Sequence, residues 1–265
     1  MIQTSGKDHL GRAIAWLMLG ISGGLFLDLS AKEILRTYSL PQFVLVRSLI
    51  ALGLLVVIAP RFGGLSSLRT QRKAWHALRT VLAIGAMFGF FYGLAKMPLV
   101  NALTLGYTAP LMVTALSAIF LGDHVGWRRW TAVVIGFAGV LIMLRPGSGE
   151  ISPAAVAVLI AAFCYASQAI TARKLADTES TLSLSFYVLL GPLLLSAIWV
   201  DDETWLNPDQ AGWLLFACAG VFSVLAWLGL VNGYRAAPPA MLAPLEYLAL
   251  VAGAIAGYLI WDELP

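Results

Sequence analysis

Nine times along the chain, an apolar run of roughly twenty residues is followed by a short polar connection, and that length is what a helix needs to cross a bilayer. The runs fall near 12–31, 40–60, 75–97, 99–121, 127–145, 152–173, 181–200, 211–235 and 239–261. Membrane strands would instead alternate over about ten residues. Here the apolar residues cover most faces, so each run predicts a helix. Composition agrees: 60% of the 265 residues are hydrophobic and 12% are charged, against about 25% charged in soluble domains. The fold class is all-α, a polytopic membrane protein. Turn chemistry marks the run ends: "SLPQ" at 39–42, "RFGGLSS" at 61–67, "RPGSG" at 145–149, "NPDQ" at 207–210 and "AAPPA" at 236–240.

Loop charge predicts orientation, because cytoplasmic loops collect Lys and Arg. With the N-terminus inside, twelve basic residues lie on the cytoplasmic side: Lys7, Arg12, Arg61, Arg69, Arg72, Lys73, Arg79, Arg128, Arg129, Arg173, Lys174 and Arg235. Four lie outside, namely Lys32, Arg36, Lys96 and Arg145, and Arg47 falls within the second run. The expected location is the inner (plasma) membrane, multi-pass, with a cytoplasmic N-terminus.

The chain also repeats itself. A shift of 140 lays 93–125 on 233–265, matching Gly93 to Gly233, Pro98 to Pro238, Tyr107 to Tyr247 and Asp123 to Glu263. A shift of 141 lays "SAK" at 30–32 on "TAR" at 171–173, and Ser39 on Ser180. The unit holds five helices. Five is odd, so the second copy enters the membrane upside down, a construction used by secondary transporters. The expected domains are a first five-helix repeat, 1–148, and a second repeat, 149–265, with four helices present. The fifth helix of the second repeat would begin near residue 267, so a ten-helix parent is expected, of which this chain carries nine transmembrane helices.

Ionisable groups inside a membrane are functional candidates by default. Asp28, Arg47 and Glu246 qualify. Arg47 lies six residues past Pro41, about 9 Å below the outer surface at 1.5 Å per residue. Asp28 is at comparable depth on the first helix, so the two are candidate partners. They either fix helices 1 and 2 or contact substrate. Glu246 enters from the other side. It faces the central cavity as a substrate or proton site, or it hydrogen-bonds a neighbouring helix, or it snorkels to the interface. Tyr92, Tyr107, Gln168, Trp227 and Tyr247 are further candidates for the path, with Phe90, Phe91, Asn101 and Tyr165, although such residues also fill helix contacts and interface belts. Pro110, Pro192 and Pro244 are candidate helix bends. Small residues such as those of "GISGG" at 20–24 let helices approach closely.

Other chemistry is not written here. Cys164 and Cys218 fall inside apolar runs and read as buried hydrophobes. His9, His76 and His124 are scattered, so no metal site is expected. No phosphate-binding loop and no basic patch points to nucleotide or nucleic acid, and no cofactor is expected. No nucleophile and base stand at catalytic spacing, so the protein is not expected to be an enzyme.

Three stretches carry a resemblance: "DLSAKEILRTYSLPQFVLVRSLIA" at 28–51, "ARKLADTESTLSLSFY" at 172–187 and "PLEYLALVAGAIAGYLIWDELP" at 244–265. With Gly122–Asp123 and Asp262–Glu263 in place of the usual Gly–Glu pair, the chain resembles the EamA-type members of the drug/metabolite transporter superfamily. The pattern Asp28, Lys32, Gln42, Arg47 is similar to the branch with bacterial riboflavin and S-adenosylmethionine transporters. The resemblance implies ten helices in two inverted five-helix repeats. It implies secondary transport of a small organic metabolite by alternating access, with protons a candidate coupling ion and a homodimer a candidate assembly. The competing readings are a membrane scaffold or receptor without transport, and an intramembrane enzyme.

Overall fold

The computed structural model describes residues 6–62, 64–144, 152–175, 178–236 and 245–263. Among them the regular structure is helical: α1 (Gly6–Ile34), α2 (Leu40–Ile58), α3 (Lys73–Lys96), α4 (Leu99–Gly106), α5 (Ala109–Phe120), α6 (Trp127–Leu144), α7 (Pro153–Leu175), α8 (Thr181–Trp199), α9 (Gln210–Ala236) and α10 (Leu248–Trp261). Two short 3₁₀ turns, Ala59–Phe62 and Leu65–Leu68, join α2 to α3. Eight segments are long and apolar enough to cross a bilayer, counting α4 and α5 together, and α10 is a shorter apolar helix. The chain is a multi-pass membrane protein.

The predicted runs and the helices coincide, with two corrections. The run at 99–121 is not one helix: it breaks at Tyr107–Thr108, and Pro110 sits in the first turn of α5. The run at 239–261 is also interrupted, because residues 245 and 246 are helical, 247 is a turn and α10 starts at Leu248. Proline at a first turn costs nothing, since its missing N–H has no intrahelical partner there. By contrast α8 runs on through Pro192. Pro244, Arg145 and the Pro238–Pro239 turn lie outside the described residues.

Local chemistry explains several ends. Ser39 caps α2, its hydroxyl accepting from the Gln42 N–H, and Ser180 caps α8, accepting from the Ser183 N–H. At the far end of α5, Gly122 adopts φ 69° and the Asp123 N–H bonds the Ser117 carbonyl. At the end of α10, Asp262 adopts φ 57° and the Glu263 N–H bonds the Gly257 carbonyl. Both are left-handed caps closed by a six-residue bond. They sit at positions 140 apart. Aspartate tolerates that backbone region better than most residues that carry a Cβ.

The helices pack in pairs across the two halves. α1 lies along α9, and α3 along α7. Both pairs are antiparallel: Gly20 and Gly23 of α1 meet Leu230 and Ala226 of α9, while Gly89 and Gly93 of α3 meet Ala157 and Ala154 of α7. α2 packs on α8, α2 on α9, and α3 on α8. α4 touches α10, α4 and α5 touch α7, and α10 touches α1. Exchange the halves, α1 for α7, α2 for α8, α3 for α9 and α4–α5 for α10, and this set of contacts maps onto itself.

One end of the bundle holds Lys32, Met97 and Glu263, and we call it the Lys32 end. There Ile34, Phe43, Leu94, Leu99 and Phe216 are fully buried. The opposite end holds Asp123, Arg173 and Glu179, and its core is Leu52, Leu55, Ala59 and Leu182.

Candidate functional site

The two helix breaks define the centre. Tyr107 stands at the first and Tyr247 at the second, with ring centroids 5.7 Å apart and planes tilted by 30°. The Tyr107 hydroxyl donates to the Glu246 carbonyl at 2.9 Å. A turn in a membrane helix frees backbone carbonyls, and such backbone is tolerated only against protein or a wet cavity. Tyr107 is eight residues into its span from the Lys32 end, about 12 Å deep at 1.5 Å per residue, and Tyr247 lies about 20 Å deep along α10. They bracket the middle of a core about 30 Å thick.

Around this pair the structure gathers most of the charged candidates. Asp28, Tyr165, Glu246 and Tyr247 all lie within electrostatic range of the Tyr107 hydroxyl. Asp28 in turn feels Arg47, though the two make no salt bridge within 4.0 Å. Arg47 is 8% exposed. Its Nη1 donates to the Met87 Sδ at 3.2 Å, its guanidinium lies 5.6 Å from the Phe91 ring centre, and its Nε is buried without a partner. Tyr165, on α7, has 57% of its surface accessible.

The other path candidates are placed differently. Trp227 packs against the cluster of Leu52, Leu55 and Leu182. Tyr92 is 40% exposed on α3, next to the glycine that packs on Val158. Gln168 lies one turn from Tyr165, and its carbonyl accepts from Arg79 at 2.7 Å. Arg79, which depth alone brings near Glu246, is instead occupied with α7 and α8: it also donates to the Thr171 hydroxyl and the Leu184 carbonyl.

Each end of the bundle carries an ion pair that spacing alone does not reveal. At one end Lys32 Nζ meets Glu263 Oε1 at 2.8 Å and also donates to the Met97 carbonyl. Glu263 further accepts from the Leu99 N–H, and Trp261 Nε1 donates to Glu33. At the other end Arg173 forks onto Asp123, at 2.5 and 3.3 Å. Each pair joins the end of a first helix in one half to the end of a fourth helix in the other. The signal was present in the sequence: the basic residue and the acid each recur at the repeat spacing, Lys32 with Arg173 and Asp123 with Glu263.

A second unread cluster ties the α2–α3 connection to α8. Glu179 accepts from the Thr70 hydroxyl at 2.6 Å and the Ser183 hydroxyl at 3.1 Å, with His76 Nε2 at 3.1 Å. Burial alone raises the Glu179 pKa, but the hydrogen bonds from Thr70, His76 and Ser183 outweigh it and hold the carboxyl below its ordinary 4.5. His76 also packs on the Tyr187 ring.

Two open recesses indent the ends. One of about 740 Å³ is lined by Lys32, Arg36, Lys96, Tyr258 and Glu263. The other, about 890 Å³, is lined by Arg69, Thr70, Lys73, His76 and Tyr187. Neither is lined by Asp28, Arg47 or Tyr107. Among the described residues no group of three metal-ligating side chains comes together.

A family model for EamA-like transporters matches the sequence twice, over residues 12–145 and 152–265. The chain belongs to the EamA-like transporter family. An S-adenosylmethionine uptake transporter of Rickettsia prowazekii (strain Madrid E) is 28% identical over 98% of this chain and 87% of its own length. A riboflavin transporter of Vibrio cholerae is 29% identical over 98% and 88%. The pseudopaline exporter CntI of Pseudomonas aeruginosa is 26% identical over 88% and 82%. One solved crystal structure superposes with a TM-score of 0.65 over 95% of this chain and 90% of that one, at 21% identity, which is a likeness of fold.

Proposed function

We propose that this EamA-family protein is a secondary transporter of a small organic metabolite. In this reading residues 1–148 and 149–265 are inverted repeats that rock about the tyrosine pair, opening it to each side of the plasma membrane in turn. The N-terminus is cytoplasmic, so the Lys32 end faces outward. The observation that carries the reading is the pair of matched ion pairs, Lys32–Glu263 and Arg173–Asp123, at opposite ends. If one arrangement closes the outer end, its symmetry mate is the natural closure for the inner end. The contacts that survive exchange of the halves support it, as do the twin caps at Gly122 and Asp262 and the separate family match of each half. Discontinuous helices at a repeat interface are where transporters of this construction bind substrate.

Relatives named for S-adenosylmethionine, riboflavin and pseudopaline support a soluble organic substrate bearing rings or an amino-acid end. The sequence carries no ATP-binding loop, so gradients or exchange supply the energy. Glu246, beside Tyr107, is the candidate proton carrier. Substrate and proton bias the two states only through different affinities for them. The test is counterflow in liposomes, with S-adenosylmethionine and riboflavin as labelled substrates. Exchange of a labelled ligand against the same unlabelled ligand inside, without ATP, is the expected result. Binding with no movement of either ligand in any gradient would remove the transport reading.

A further inference from the structure

We propose that the recess at the end opposite Lys32 seats an anionic glycerophospholipid, its phosphate on Arg69 and Lys73 and its acyl chain along α3. The recess encloses about 890 Å³, and no carboxylate lines it. Its charged lining residues, Arg69 and Lys73, make no ion pair among the described residues. The recess at the Lys32 end differs, because there Asp262 and Glu263 share the wall with the cations. Glu179 stands behind Thr70 and His76, bonded to both. Two cations less that one carboxylate leave a net positive charge, with His76 neutral. The start of α3 adds to it. Arg72 at the N-cap makes no side-chain cap bond and the first turn holds no acid, so the N–H groups and dipole of that turn favour an anion. His76 supplies an independent sign of a ligand. It lines the recess, is 3% exposed, and its Nδ1 is buried without a partner. Nε2–H is given to Glu179, which leaves Nδ1 an acceptor. A headgroup hydroxyl is the donor that matches it.

The rest of the recess selects a lipid over a soluble phosphate. Ala77 and Val81 also line it. They follow Lys73 by four and eight residues, so all three share one face of α3. Each step carries the stripe about 6 Å further along the helix. Both residues are exposed, Val81 at 65%. α3 starts at Lys73 and is long and apolar enough to cross the bilayer, so the stripe runs from headgroup level into hydrocarbon. An acyl chain covers it while the phosphate meets Lys73, and a soluble phosphate would leave it bare. In the proposed orientation this end faces the cytoplasm, where juxtamembrane cations meet anionic lipid. The location also gives the lipid a task. Arg69, Thr70 and α3 belong to the first half, and Tyr187 of α8 closes the recess from the second, its hydroxyl donating to the Leu68 carbonyl at 3.2 Å. A lipid seated there touches both halves and steadies this end in its packed arrangement.

The test is lipid titration of the whole protein in detergent, read as the rise in melting temperature. The probes are phosphatidylglycerol, phosphatidylcholine with the same chains, and glycerol 3-phosphate. Phosphatidylglycerol should bind about tenfold or more tightly than phosphatidylcholine, the preference expected of two cations near the surface. Glycerol 3-phosphate should not displace it. In Arg69→Gln with Lys73→Gln the preference should fall to about one. Both side chains are exposed, so the variant should fold, and its melting temperature without lipid checks that. If the pair destabilises the protein, either single substitution serves, with a fall of about threefold or more. Arg128→Gln with Arg129→Gln removes the same charge from the same end but outside the recess, and should keep the full preference. Equal affinity for the two lipids in the unaltered protein would overturn the proposal. An equal loss in both double variants would do so too, by making the effect one of surface charge alone. Displacement of phosphatidylglycerol by glycerol 3-phosphate would make the recess a site for soluble anions instead of lipid. None of these outcomes bears on transport, which counterflow decides separately.

Discussion

Glu246 and Glu179 are both carboxylates held by the fold, and they are set for different work. Glu246 stands at a helix break, within range of two tyrosines, at the place where the two halves meet. If it carries the coupling proton, Glu246→Gln should lower gradient-driven uptake by roughly tenfold or more and flatten its pH dependence, while counterflow of substrate without a gradient persists. Uptake and pH profile both unchanged would take Glu246 out of the mechanism. Glu179 is fully committed to Thr70, His76 and Ser183. Its pKa is below the ordinary 4.5 in the folded state, so its contribution to stability is present above pH 4.5 and is lost as the pH falls through the lower folded value. Removing donors by Thr70→Val with Ser183→Ala returns the folded pKa toward 4.5, so it should lower stability at neutral pH and shrink the further loss on acidification. Melting temperature followed from neutral pH to pH 3 checks this, and superimposable acid limbs would refute it.

At the level of helices, close approach depends on residues that have no side chain to interpose. On α1 and α9, Gly20 and Gly229 meet backbone to backbone: a Cβ on Gly20 would lie 2.7 Å from the Leu230 nitrogen, and one on Gly229 would overlap the Gly20 nitrogen and Cα. Gly24, one turn on, has open space at its Cβ position. Gly229→Ala should thus cost about 1–3 kcal/mol, the usual range for overpacking, while Gly24→Ala should stay within about 0.5 kcal/mol. Thermal unfolding in detergent distinguishes them, and equal effects would contradict this packing. The glycines of "GISGG" were legible as packing residues, but not which of them touches α9, because hydropathy does not name a partner helix. The same limit explains what else was hidden. Helix positions followed from length and apolarity. The breaks at Tyr107 and Tyr247 did not, because hydropathy runs unbroken through them. Asp28, Arg47 and Glu246 stood out as charges in apolar runs, whereas His76 and Glu179 sit at run ends, where charge is ordinary. Lys32 and Arg173 looked like orientation signals, and only contact across the halves gives them partners.

For the molecule as a whole, the two end pairs differ in burial. Lys32 is 8% exposed in its side chain and Glu263 23%, and the pair is reinforced by the Met97 carbonyl and the Leu99 N–H. Arg173 and Asp123 are 63% and 32% exposed. An exposed pair contributes about 0–1 kcal/mol. A buried pair is different, because removing one partner strands a charge at a cost of about 3–5 kcal/mol. If the pairs close opposite ends, Lys32→Glu should favour the state open at the Lys32 end, and Arg173→Glu should favour the other by a smaller shift. The double reversals Lys32→Glu with Glu263→Lys, and Arg173→Glu with Asp123→Arg, should each restore most of the original balance. A cysteine at Tyr165, in a background without Cys164 and Cys218, reports which side is open when an impermeant thiol reagent is applied to right-side-out and inverted vesicles. Opposite changes in labelling for the two single reversals, rescued by each double, are expected. Changes of the same sign would mean that the two ends do not alternate, and the inverted pairing would then be a means of holding the helices together.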